Sequence, residues 1–102
     1  MTIRSGGTTS CSHMQYINTI KASTIPYPNL VTKFAIRYDY YDDALEMHKN
    51  GSYFYRTPQK SSGTTDQQAI SLTSSDSLEF YVNDYGGVAC RMSAAEITFY
   101  YN

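Results

Sequence analysis

Ala44-Leu45-Glu46-Met47-His48-Lys49-Asn50-Gly51-Ser52-Tyr53-Phe54-Tyr55-Arg56-Thr57 is the stretch that decides the fold. Asn-Gly accepts the positive φ angles of a type I′ turn, whose twist matches that of the strands on either side. A hairpin closed at Asn50-Gly51 sets Lys49 opposite Ser52, Met47 opposite Phe54, and Leu45 opposite Arg56. Side chains alternate along a strand, so Leu45, Met47 and Phe54 then share one face. Glu46, His48, Tyr53 and Tyr55 share the other. A slip of one residue would reverse every side chain of the strand. The register therefore predicts a buried Phe54 beside at least partly exposed Tyr53 and Tyr55.

Upstream, Phe34, Ile36, Tyr38 and Tyr40 alternate with Lys33, Ala35, Arg37 and Asp39, the period of a half-buried strand. Met14 to Ile20 reads as an earlier strand. Between them, Pro26 and Pro28 forbid helix and favour an extended connector. Downstream, Pro58 to Thr65 is a polar loop, and Ile70 and Leu72 alternate in a short strand. Ser74 to Ser77 is a turn, after which Leu78, Phe80 and Val82 alternate with Glu79, Tyr81 and Asn83. Asn83 to Gly87 is another turn. Val88, Cys90 and Met92 line a further strand. Ser93 to Glu96 is long enough for one helical turn at most. Glu96 to Asn102 closes the chain, with Ile97, Phe99 and Tyr101 expected inward. Many short strands with regularly spaced turns predict a single all-β domain, an antiparallel β-sandwich or jelly roll, over residues 13–102. Residues 1–12 are rich in Gly, Ser and Thr, with Ile3 as the one aliphatic side chain, and are expected to be a flexible N-terminal arm.

The 102 residues suffice for one domain, and a hydrophobic content of 41% is that of a globular chain. Tyr stands out, with 11 copies against 4 Phe and no Trp. Tyr suits strands, and it also suits surfaces that meet a partner. The net charge is −1, with Lys and Arg scattered singly, which argues against nucleic acid as a partner. No apolar run approaches the roughly 18 residues of a membrane span, so no membrane insertion is expected. The N-terminus shows no apolar signal core; the chain is either used without such export or has lost a signal.

Chemistry-bearing patterns are few. No Gly-x-Ser-x-Gly is present, and neither His13 nor His48 sits in a triad pattern, so no enzyme activity is expected. His48 beside Glu46 reads as a cross-strand surface pair. Asp39, Asp42 and Asp43, with Asn83 and Asp84, have the residue types of a calcium site but read more simply as turn residues bonding their own backbone. Neither a metal nor a cofactor is expected. The candidate ligand- or partner-binding residues are Tyr53, Tyr55, His48, Tyr40 and Tyr85. Tyr rings stack on sugars and anchor protein partners at low entropic cost. The two cysteines, Cys11 and Cys90, match no metal spacing. They are free thiols, or a disulfide within the chain, or a disulfide between copies.

The run from Lys49-Asn50-Gly51 through Ile70-Ser71-Leu72 and Asp76-Ser77-Leu78-Glu79-Phe80-Tyr81-Val82 to Ile97-Thr98-Phe99-Tyr100-Tyr101 resembles the closing half of small jelly-roll subunits of phage virions and extracellular fibres. The Cys-bearing arm, with a second Cys before the last strand, is similar in plan to bacterial endospore appendage subunits. The resemblance implies a non-catalytic structural subunit on a virion or outside the cell, whose partners are other copies of itself. It implies an arm that docks into the next copy, with Cys11 and Cys90 as the cross-link. A single arm Cys departs from that plan, where more are common. The alternatives are a carbohydrate-binding module using the Tyr face, or a small inhibitor of another protein.

Overall fold

The computed structural model describes residues 2–3, 8–9, 14–39, 44–58, 62–83, 90–91 and 94–101. Its strands are β1 (Thr2–Ile3), β2 (Thr8–Thr9), β3 (Met14–Lys21), β4 (Val31–Asp39), β5 (Ala44–Lys49), β6 (Ser52–Arg56), β7 (Ser62–Thr64), β8 (Gln68–Ala69), β9 (Ser77–Asn83), β10 (Cys90–Arg91) and β11 (Ala94–Tyr101). The described chain is thus mostly β, and every pairing is antiparallel.

The Asn50-Gly51 turn forms as the sequence predicts, with φ of 53° at Asn50 and 83° at Gly51. Moving away from it, the two halves of the chain pair in mirror order: β5 with β6, β4 with β7 and β8, β3 with β9, β2 with β10, and β1 with β11. Two further ladders fold this ribbon back on itself. β9 lies beside β5, and β11 lies beside β4. The result is one sheet ordered β1-β11-β4-β7, with β8 also on β4, and another ordered β3-β9-β5-β6.

Both sheets feed one buried cluster. Phe34, Ile36 and Tyr38 from β4 and Ile97 from β11 meet Leu45 and Met47 from β5 and Leu78, Phe80 and Val82 from β9. Burying each such side chain is worth roughly 1.5–3 kcal/mol. Where ladders end, threonines extend them. Thr57 donates its N–H to the Leu45 carbonyl and accepts the Leu45 N–H on Oγ1; Thr65 does the same with Ile36. A buried backbone pair is satisfied in each case without another strand residue.

Several expectations are corrected. Phe54 is not buried: it is 36% exposed, because β6 carries an extra residue. Tyr101, opposite Val31 at the end of β11, is 45% exposed, and its hydroxyl donates to the Pro26 carbonyl. Ile70 and Leu72 are buried, but the strand in that region is Gln68–Ala69; the loop expected from Pro58 contains β7. Ala94 to Glu96 extend as part of β11. The proline-flanked connector is not extended throughout. Tyr27 is left-handed (φ 49°), and Pro28 opens a short 3₁₀ turn, a position where its missing N–H costs nothing. Within residues 1–12, Thr2–Ile3 and Thr8–Thr9 pair with this chain's own β11 and β10.

Candidate binding face

The outward side of the β3-β9-β5-β6 sheet carries its residues in register. Tyr16 lies opposite Tyr81, Tyr81 opposite Glu46, and Glu46 opposite Arg56. A neighbouring row runs Thr19, Glu79, His48, Tyr53. On the central strands these rows are two residues apart, as an ordinary strand requires. On both outer strands they are three apart, because each strand inserts one residue. Ile17 is extra in β3 and Phe54 in β6. A β-bulge of this kind sets two residues against one and re-aims the side chains around it.

The bulges decide which tyrosines belong to the face. Tyr55, opposite Met47, is half-buried and meets Phe34 edge-on at 5.4 Å between ring centres. It therefore packs inward, contrary to the uninterrupted register. Burial is the leading reason its phenol ionises above the ordinary range. Tyr53 stays outward, 56% exposed, with the Arg56 guanidinium carbon 5.4 Å from its ring centre. Tyr16, 50% exposed, lies 5.7 Å from Tyr81, and its hydroxyl is bonded to that of Thr19 at 2.7 Å. Between them, the His48 ring is 4.7 Å from Tyr81 and 6.1 Å from Tyr53.

Beneath these rings sits a carboxylate. Glu46 is only 4% exposed although it points away from the core. Oε2 lies 2.7 Å from His48 Nε2, and Oε1 accepts from Arg56 Nε at 3.1 Å. A carboxylate so covered requires partners, and His48 and Arg56 of the same face are among them. Glu79 is also engaged, accepting from the Gly51 N–H at 2.8 Å and from the Ser77 hydroxyl. The face is thus a fixed lattice, with the two most exposed rings at its opposite edges.

Of the residues singled out from sequence, Tyr53 and His48 lie together on this face and Tyr55 does not. Tyr40, Tyr85 and Cys11 lie outside the described residues. Cys90 pairs through its backbone with Thr9. Tyr16 and Tyr81 are additions. The outward position of Tyr81 follows from its alternation with Phe80 and Val82, but its place beside His48 depends on β9 lying next to β5. Comparison of the chain with protein-family models, curated proteins and solved structures finds no match.

Proposed function

We propose that this chain is a non-catalytic structural and interaction subunit, a β-sandwich of jelly-roll type that presents the outer face of its four-stranded sheet to its surroundings. The mirror-ordered pairing supports the jelly-roll reading: a single long ribbon, closed at Asn50-Gly51, wraps so that alternate portions fall into opposite sheets. One cluster of buried side chains drawn from both sheets supports the sandwich.

The observation that carries the functional reading is the pair of exposed rings, Tyr16 and Tyr53, held at opposite edges of a face whose interior is already bonded. Such rings present large contact area with little freedom left to lose on binding.

In this reading copies associate through sheet edges and through residues 1–12, and the subunit works on a virion or outside the cell. Among the described residues β1 meets β11 over Thr2–Ile3, a short pairing that can exchange for the same pairing with a neighbouring copy. Light scattering and electron microscopy of the purified chain test this. Assemblies are expected, and deleting residues 1–12 is expected to abolish them while the β circular-dichroism spectrum persists. A chain that stays monomeric at every concentration would refute the subunit reading.

A further inference from the structure

Accepting the outer face as the chain's docking surface, we infer that it binds a neutral oligosaccharide, one sugar ring stacking on Tyr16 and another on Tyr53. The residues of the face select that class. Two of its rows read Tyr16, Tyr81, Glu46, Arg56 and Thr19, Glu79, His48, Tyr53, with no aliphatic side chain in either, and Ala44 in the row beyond is fully buried. An amphipathic helix seeks an aliphatic groove, which this is not. An anionic partner seeks a cluster of uncommitted cations, but Arg56 is bonded to Glu46 and stacked on Tyr53, and Lys21, one row further along β3, is one exposed cation beside Glu79. What the face offers a ligand is the exposed aromatic surface of Tyr16 and Tyr53, since Glu46 is covered and its carboxylate, like that of Glu79, is bonded within the chain. A pyranose is complementary to such rings, with an apolar C–H face to stack on each and rim hydroxyls that stay in water.

The geometry also sets a length. Tyr16 is on β3 and Tyr53 on β6, the two edges of the four-stranded sheet. Strands lie about 4.8 Å apart, so these rings are separated by about 14 Å across the sheet. Neighbouring rings are tilted from one another, by 69° between Tyr16 and Tyr81 and 79° between His48 and Tyr53. The face is therefore not one flat platform. It has separate stacking stations at its edges, with His48 and Tyr81 as the floor between them. A ligand that reaches only one station forgoes the other.

Isothermal calorimetry on the full chain tests this, using cello-, malto- and chito-oligosaccharides from monomer to hexamer and a heparin-derived hexasaccharide. In at least one neutral series, affinity should rise by about tenfold or more once the chain spans both stations, and then level off. Tyr16→Ala and Tyr53→Ala should each weaken the long ligand about tenfold and flatten the length dependence. Thermal melts of each variant establish that it is folded. Any one of three results overturns the inference: no neutral series binding at millimolar concentration, tighter binding of the sulfated sugar, or folded alanine variants that bind unchanged. Assembly seen by electron microscopy without neutral-sugar binding would defeat this inference and leave the subunit reading standing. Sugar binding by a permanent monomer would do the reverse.

Discussion

Tyr53 and Arg56 are three residues apart on one strand and face the same way, the Arg56 guanidinium carbon 5.4 Å from the centre of the Tyr53 ring. In an uninterrupted strand they would point to opposite sides. The extra residue, Phe54, reconciles them, and it also sends Tyr55 into the core. The bulge on β3 does the same for Tyr16 and Thr19. Bulges suit edge strands, where the irregularity also discourages pairing with foreign strands.

The bulge on β6 reverses the order of side-chain importance that strict alternation predicts. Tyr55 packs on Phe34 and the core, while Phe54 remains partly exposed. Tyr55→Ala is expected to cost about 2–3 kcal/mol and Phe54→Ala about 1 kcal/mol or less, the difference following the apolar area buried. Urea unfolding of both variants checks this. A larger loss for Phe54→Ala would put Phe54 in the core after all.

Glu46 is bonded on both carboxylate oxygens, and an amide keeps one acceptor oxygen while turning the other into a donor, so Gln in its place sets donor against donor at either His48 or Arg56. Glu46→Gln is expected to destabilise by about 1–3 kcal/mol, with the half-exposed position of Arg56 holding the loss below that of a fully buried pair. A double-mutant cycle with Arg56→Ala should give a coupling of about 0.5 kcal/mol or more. Additive losses would mean that the pair is not a working contact.

At the hairpin tip, Gly51 has φ 83°, and a Cβ there would meet nothing within 4 Å. Any loss at Gly51 is therefore backbone strain and not a clash. Gly51→Val is expected to cost more than about 1 kcal/mol, since a β-branched residue resists positive φ, while Gly51→Asn should be tolerated better. Melting temperatures of the two variants measure the contrast.

Asp76 ionises below the ordinary carboxylate range, chiefly because the Asn50 side chain donates to it at 2.8 Å, with the Thr73 N–H second. A depressed folded-state value gives stability that is present above the unfolded pKa, near 4, and lost as pH falls through the lower folded value. Asn50→Ala should move the Asp76 titration, followed by carboxyl NMR, back up. Tyr38 and Tyr55 shift the other way: burial raises both phenols. Their contribution is complete below about pH 10 and is lost as pH rises through the folded values. Phenolate absorbance during alkaline titration should show a late fraction that appears with unfolding.

Much of the fold is legible in local pattern. Asn50-Gly51 specifies the turn, and Phe34, Ile36, Tyr38 with Leu78, Phe80, Val82 specify the buried faces of two central strands. These features rest on neighbours in sequence. The binding face does not. His48 meets Tyr81 because β9 lies beside β5, a pairing between residues about 30 apart, and Tyr16 joins them only through β9. The bulged residues Ile17 and Phe54 are ordinary apolar strand residues, so nothing in composition marks them as extra. The left-handed Tyr27 was likewise hidden, since a non-glycine at positive φ is held by surrounding structure.

The arrangement of the outer face is the claim on which the functional account depends, and nuclear Overhauser contacts in the isolated chain measure it most directly. Ring contacts are predicted from Tyr16 to Tyr81, from Tyr81 to His48 and from His48 to Tyr53, with Tyr55 reaching Phe34 and not His48. Contacts from Tyr55 to His48, together with Phe54 opposite Met47, would show an unbulged β6. The paired stacking stations would then not exist as described.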